Sequence, residues 1–347
     1  MVNNNSTANL SYFAASNGFS GFSSIFNYVF SPDKFKHIFI LKGGPGTGKS
    51  TLMKKVINYA YKNGIYSEAI YCSSDPNSLD GVILEDNDEK IAIIDGTSPH
   101  TVDPKYPIAA ESIINLADGI DKGLIIEKRD EIFFLNSEKS KAYTKAYDLL
   151  KIAGSMHNYI IKAYKALIDE REITKFANDV INTYATNKTY KTVRCYHISS
   201  FSKYGYTQLS DDYTNLKGIS FFTDGFIEEI TLKKISELMN NRHMINTICP
   251  SPFSENIIDA IYTDNYIFKS RGDSEIKINL SDLVVQNCSL TEEKRIYSNL
   301  LELSREQFAI ASDYHFKLEK IYSEAINFKH NDKIYDNLIK EIESFLS

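Results

Sequence analysis

The sequence predicts an α/β protein with a parallel sheet, a tandem duplication whose second α/β half is degenerate, and long helical arms. A glycine-rich phosphate-binding motif lies between a strand-like and a helix-like segment, and parts of the first half recur about 180 residues later. Short apolar runs alternate with helical segments, which is typical of a parallel sheet covered on both faces. The 347 residues, 43% of them hydrophobic, suffice for one large domain or two ordinary ones.

The phosphate-binding motif occupies residues 43–50 and has the pattern Gly-x-x-x-x-Gly-Lys-Ser. A strand is predicted over 37–41 and a helix over 51–61, which is the context of the loop in a P-loop NTPase. Glycines let backbone N–H groups turn toward an anion, and the helix N-terminus adds positive potential. Lys49 is expected to reach the β- and γ-phosphates of ATP, and Ser50 to ligate Mg²⁺. The predicted nucleotide-binding residues are Gly43, Gly44, Pro45, Gly46, Thr47, Gly48, Lys49, Ser50 and Thr51.

A second feature expected of such sites is a carboxylate at the end of a buried strand. Residues 90–95 form such an apolar run and end in Asp95, which we expect to hold Mg²⁺ beside Ser50. An ordinary strand-end aspartate is the alternative. The next residue is Gly96 rather than Glu, so the fast hydrolysis of ring-forming ATPases is not supported.

Further catalytic candidates lie in two polar loops. Asp75 and Asp80 follow a strand predicted over 67–72, where a carboxylate can orient water or an acceptor hydroxyl. His100 follows Asp95 and can sense a phosphate or relay a proton. An Asx turn at Asp75, a helix cap at Asp80 and a hydrogen-bonded loop histidine are the open alternatives. The predicted catalytic set is Lys49, Asp95, Asp75 and His100.

The rest of the chain divides by pattern into further segments. Apolar residues at three- and four-residue spacing predict helices over 108–118 and 124–182, and a strand is predicted over 192–198. The predicted organisation is an N-terminal tail with an aromatic-rich, short-helix segment (1–34), a nucleotide-binding core (35–120), a helical arm (121–189), a degenerate α/β half (190–288) and a C-terminal helical arm (289–347).

The duplication rests on three weak echoes in the same order. Residues 51–56 are echoed 180 positions later, 79–82 are echoed 179 positions later, and 127–129 are echoed 166 positions later. At the first offset Lys49 falls on Glu229, and Ser50 falls on Ile230. The corresponding loop, 223–230, is acidic and would repel a phosphate. The second half is therefore predicted to hold no nucleotide.

Composition and charge limit the classes of partner and the cellular location expected for the chain. The net charge is −6 with no basic stripe, so nucleic acid is not favoured, and no apolar run predicts a membrane span. Without an export signal the expected location is cytoplasmic, where scattered cysteines are reduced thiols, with a zinc site as the alternative. A homo-oligomer is possible. The cysteines are Cys72, Cys195, Cys249 and Cys288.

Three stretches make the chain resemble a functionally uncharacterised family of bacterial ATP-binding proteins with two tandem P-loop halves. They are Lys42-Gly-Gly-Pro-Gly-Thr-Gly-Lys-Ser-Thr-Leu-Met-Lys-Lys, Tyr71-Cys-Ser-Ser-Asp-Pro-Asn-Ser-Leu-Asp-Gly-Val and Ile94-Asp-Gly-Thr-Ser-Pro-His-Thr-Val-Asp-Pro-Lys-Tyr-Pro. The resemblance covers about residues 35–170 and implies ATP binding. Members of that family often keep a P-loop in both halves, and this chain departs from them there.

These observations together predict a Mg²⁺-ATP-binding ATPase that hydrolyses ATP, or switches on it, at one site in the first half. One alternative is an ATP-dependent phosphotransferase acting on a small molecule or nucleotide, and another is a non-hydrolysing regulatory module. Apart from the nucleotide, the partner is an unknown protein or small molecule. GTP is disfavoured because the chain lacks an Asn-Lys-x-Asp motif. Arg194 and Arg271 are candidates for an internal arginine finger.

Overall fold

The computed structural model describes residues 7–185, 188–209, 216–223, 225–272, 274–283 and 289–346, and its secondary structure falls into two halves. The first half contains β1 (Leu10–Phe13), β2 (Ala15–Gly18), β3 (Gly21–Ser24), α1 (Phe26–Val29), β4 (His37–Lys42), α2 (Lys49–Lys62), β5 (Tyr66–Tyr71), β6 (Leu79–Asp86), β7 (Glu89–Asp95), β8 (Glu111–Asn115), α3 (Lys122–Glu127), α4 (Arg129–Lys165) and α5 (Glu170–Tyr184). The second half contains β9 (Arg194–Cys195), β10 (Ser199–Ser202), β11 (Gly205–Gln208), β12 (Lys217–Phe222), α6 (Phe226–Asn241), β13 (Thr247–Ser251), β14 (Ser254–Tyr262), β15 (Tyr266–Lys269), β16 (Ile276–Asn279), α7 (Thr291–Ala325) and α8 (Phe328–Leu346).

The first sheet is mixed rather than wholly parallel. Its strand order is β1-β5-β6-β7-β4-β8, and β4 lies parallel between β7 and β8. β6 runs antiparallel to both of its neighbours. The β6–β7 connection consists of Asn87 and Asp88, both at positive φ, and a two-residue turn of this kind joins antiparallel strands. The α/β class is confirmed, with one strand reversed by a tight turn.

The second sheet has the same topology as the first. Its order, β9-β13-β14-β15-β12-β16, matches the first sheet strand for strand, and every pairing has the same direction. Ile70 pairs with Gly81 in the first sheet, and Cys249 pairs with Ala260 in the second, both 179 positions later. Two copies of one ancestral unit would produce this arrangement, which supports the tandem duplication.

Three segments differ from the sequence predictions. Residues 108–118, expected to be helical, contain the strand β8, because the edge of β4 offers unpaired backbone groups that this segment satisfies. Residues 192–198 contribute only the two-residue strand β9. The aromatic-rich segment, expected to be one short helix, instead forms the hairpin β2–β3 followed by the four-residue helix α1.

The helical arms are exchanged between the halves. The long helices α4 and α7 pack antiparallel, with the Ser304 hydroxyl donating to the Ala146 carbonyl oxygen at 2.9 Å and Lys294 Nζ donating to Tyr164 Oη at 2.6 Å. The arm α4–α5 shares its core with α6 of the second half. Helix α8 shares its core with α2 of the first half. The helical prediction for 124–182 is confirmed as α3, α4 and α5, but α4–α5 packs on the second half and α8 on the first.

Candidate nucleotide site

The glycine loop, residues 43–50, connects the buried strand β4 to helix α2. Gly46 has a φ of +70° and Gly48 a φ of +91°, backbone conformations that favour glycine. The Thr47 hydroxyl donates to the Gly44 carbonyl oxygen at 2.8 Å and braces the turn. The sequence therefore places a strand, a tight loop and a helix N-terminus in succession, as an anion-binding loop requires.

Lys49 begins α2 and is almost wholly buried. Its Nζ donates to the carbonyl oxygens of Gly43 at 3.1 Å and Gly44 at 2.9 Å, and lies 3.6 Å from Asp95 Oδ2. Asp95 reaches this position because β7 lies parallel to β4, so both strands end at the same edge of the sheet. The structure thus brings together the lysine and the carboxylate that the sequence places 46 residues apart.

The Asp95 carboxylate is held in place by its own loop. Asp95 Oδ1 accepts hydrogen bonds from the Thr97 backbone N–H at 2.9 Å and from the Thr97 hydroxyl at 2.6 Å. Burial raises the pKa of Asp95 above its usual value, while the Lys49 ammonium and the Thr97 bonds act in the opposite direction. Ser50, the second residue of α2, accepts through its Oγ a hydrogen bond from the Leu79 backbone N–H at 3.0 Å.

Asp80, rather than Asp75, lies beside this pair. Asp80 Oδ2 is 3.4 Å from His100 Nε2, and both side chains are buried. The neighbouring Gly81 pairs with Ile94, which puts Asp80 next to the end of β7. The imidazole of His100 is stacked on Phe26, with ring centroids 4.5 Å apart, so the N-terminal segment helps to position it.

Asp75 forms the Asx turn that the sequence offered as the alternative to a catalytic role. Its Oδ1 accepts from the Asn77 backbone N–H at 3.1 Å and from the Asn77 side-chain amide at 3.2 Å. The two arginine-finger candidates are also engaged elsewhere. Arg194 pairs with Glu68 at 3.1 Å, and Arg271 pairs with Glu229 in the second half.

The C-terminal arm covers the outer face of the glycine loop, a contact that sequence patterns do not reveal. A Cβ atom placed on Gly46 would lie 2.4 Å from the carbonyl oxygen of Glu319 in α7, and one on Gly44 would lie 2.9 Å from the Tyr322 ring. Asn331 of α8 donates from Nδ2 to the Thr47 carbonyl oxygen at 2.8 Å. Two glycines of the motif are therefore also needed for the close approach of this arm.

The corresponding loop of the second half is filled by a carboxylate of the chain itself. It spans three residues between β12 and α6, against six between β4 and α2. Glu228 Oε2 accepts from the Gly225 backbone N–H at 2.7 Å and from the Thr223 hydroxyl at 3.0 Å, and Oε1 accepts from the Thr223 backbone N–H. Asp224, predicted as part of this acidic loop, lies outside the described residues.

The buried faces of α2 and α6 correct the predicted alignment by one residue. Leu52 and Val56 of α2 correspond to Thr231 and Ile235 of α6, an offset of 179 that agrees with the strand register. At this offset Lys49 falls on Glu228 rather than Glu229. A carboxylate in the second half thus replaces the ammonium group of the first.

Behind Glu228, buried charges are paired across elements. Glu229 is 2.8 Å from His157 Nε2 of α4 and forms an ion pair with Arg271, which follows β15. Asp259, the counterpart of Asp80 at an offset of 179, accepts a hydrogen bond from Ser199. Burial raises the pKa of Asp259 to about 6, opposed by the Ser199 bond and the Arg271 charge.

The described residues contain no group of three or more His, Cys, Asp or Glu side chains arranged to bind a metal ion. Cys72, Cys195 and Cys249 are free thiols, and Cys288 lies outside the described residues. Within the same ranges, no helix has the length and apolar character to cross a membrane. Comparison of the chain with protein-family models, curated proteins and solved structures found no match.

Proposed function

We propose that the chain is a P-loop ATPase that binds Mg²⁺-ATP at the glycine loop of its first half. The observation that carries the proposal is the position of Lys49, at the N-terminus of α2 and 3.6 Å from Asp95 at the end of the neighbouring parallel strand. Burial of the Lys49 ammonium carries a desolvation cost, and the negative charge of bound phosphates would help to offset it.

The residues around this pair fit a magnesium ion. Ser50 supplies a hydroxyl oxygen and Asp95 a carboxylate, and hard oxygen ligands of this kind suit Mg²⁺ together with phosphate oxygens. When bound, the ion supplies positive charge that offsets the charge of the phosphates. The loop N–H groups and Lys49 would hold the β- and γ-phosphates and stabilise the charge that develops during transfer.

In this proposal Asp80 and His100 orient the attacking water. The contact between Asp80 Oδ2 and His100 Nε2 fixes the ring so that it can hold a proton at one nitrogen. The same pair could orient an acceptor hydroxyl, which is how a phosphotransferase would use it. An acceptor-dependent consumption of ATP distinguishes that activity from hydrolysis.

A non-hydrolysing switch is the second candidate, favoured by Gly96. Because Gly96 follows Asp95 directly, the site lacks an adjacent glutamate to activate water. In such a switch the C-terminal arm would respond to nucleotide binding directly, since both Tyr322 and Asn331 contact the glycine loop.

The test is binding of Mg²⁺-ATP by calorimetry, with phosphate release measured in parallel, for the wild type, Lys49→Ala and Lys62→Ala. Lys62 is exposed at the far end of α2 and serves as the matched control. Loss of the charge-assisted bonds of Lys49 should weaken binding about 10- to 100-fold and abolish release, whereas Lys62→Ala should match the wild type. Equal binding by the wild type and Lys49→Ala would refute the proposal, and tight binding without release would favour the switch.

A further inference from the structure

The direction of a bound triphosphate follows from the strand order around the glycine loop. Asp95 lies on the β7 side of β4, so the γ-phosphate and the metal ion belong on that side. The nucleoside must then extend toward the opposite neighbour, β8, and the segment that follows it. This step depends on the proposed function, because it takes the phosphates to lie in the glycine loop.

The surface on the β8 side is built jointly by the two halves. The 3₁₀ turn Leu116–Gly119 follows β8, and the Gly119 carbonyl oxygen accepts a hydrogen bond from the Asn327 backbone N–H at 2.9 Å. Asp121 N–H donates to the Ala325 carbonyl oxygen at 2.8 Å, which holds the α7–α8 junction at the same place. The first turns of α8 are thereby fixed beside the glycine loop.

Two side chains of α8 at this place have unused capacity for a ligand. Phe328 is 48% exposed, and its ring would lie 3.6 Å from a Cβ atom on Gly48. Asn331 Nδ2 donates a hydrogen bond to the Thr47 carbonyl oxygen, and this bond fixes the orientation of the amide. The Oδ1 atom of Asn331 is buried and accepts no hydrogen bond from the described residues. A buried acceptor without a donor is costly, and a ligand N–H group would satisfy it.

From these contacts we propose that α8 of the second half forms the base-binding wall of the nucleotide site in the first half. Phe328 stacks on the base, and Asn331 Oδ1 accepts a hydrogen bond from an exocyclic amino group. Adenine presents such a donor at N6, where guanine presents the acceptor O6, so an amide oxygen that faces this edge of a purine prefers adenine to guanine. The ligand is accordingly an adenine nucleoside triphosphate, recognised by residues of both halves.

The test compares Mg²⁺-ATP with Mg²⁺-tripolyphosphate, which shares the phosphates and lacks the nucleoside. Phe328→Ala should weaken ATP binding about 5- to 100-fold by loss of stacking and leave tripolyphosphate binding unchanged. Phe222→Ala is the matched control, since Phe222 is 46% exposed on β12 of the second half. In a second arm, Asn331→Ala should reduce the preference for ATP over GTP, with tripolyphosphate reporting any change in the loop.

Because the chain has no tryptophan, Phe328→Trp gives a direct signal at the wall. Its emission should change on addition of Mg²⁺-ATP and not on addition of Mg²⁺-tripolyphosphate. If Phe328→Ala weakens both probes equally, or neither, the base-binding wall is refuted while the phosphate site stands. If the wild-type chain binds neither probe, the proposed function fails and this inference fails with it.

Discussion

Replacing Glu228 by alanine should convert the filled loop of the second half into a site for an external anion. The Glu228 carboxylate accepts hydrogen bonds from the backbone N–H groups of Thr223 and Gly225 and from the Thr223 hydroxyl. Thr223 is exposed, so water can replace its bonds, whereas the partly buried Gly225 loses a charge-assisted bond and α6 loses its cap. The expected loss in unfolding free energy is about 2 kcal/mol.

Urea unfolding of the wild type, Glu228→Ala and Glu237→Ala in chloride and in sulfate at matched ionic strength measures this effect. Glu237 is an exposed carboxylate on the same helix and controls for the loss of one charge. Sulfate stabilises folded proteins in general, so the informative quantity is the additional stabilisation of Glu228→Ala over the other two chains. If Glu228→Ala is as stable as the control, or if sulfate stabilises all three equally, the carboxylate does not occupy an anion site.

Three further predictions concern buried charge and the arm. Arg271→Met should destabilise the fold by about 3 kcal/mol because it leaves Glu229 buried with only one partner, and the double variant with Glu229→Met should recover much of this loss in urea unfolding. Burial raises the pKa of the Asp259 carboxyl from its ordinary value of 3.8 to about 6 in the folded chain, so its contribution to stability is present below pH 4 and is lost as pH rises through 6. The total is about 3 kcal/mol, and Asp259→Asn should remove this part of the pH dependence of urea unfolding. Gly46→Ala should displace α7, because the new Cβ atom would clash with the Glu319 carbonyl oxygen. We expect proteases to cleave the C-terminal arm of this variant faster than that of the wild type, and unchanged cleavage would contradict the prediction.

Local patterns predicted β4, α2, β5 and β7 close to their observed bounds. Lys49 and Asp95 were placed by a glycine motif and by an apolar strand ending in a carboxylate, signals that depend only on neighbours in the chain. Asp75 and Asp80 were harder to separate, because both follow the same strand. Only the register of β6 against β7 decides that Asp80 lies beside Asp95 while Asp75 closes a turn.

The sequence by itself determined the α/β class, the strand-loop-helix around Lys49 and the acidic character of the second loop, since these follow from periodicity, glycine and charge along a few consecutive residues. The tertiary structure alone decided that β8 is a strand, that Glu228 fills the second loop, and that α8 lies against the glycine loop of the other half. Each of these depends on which distant surface supplies hydrogen-bond partners and apolar cover. Such pairings are set by the burial of whole faces and have no signature in a short stretch of sequence.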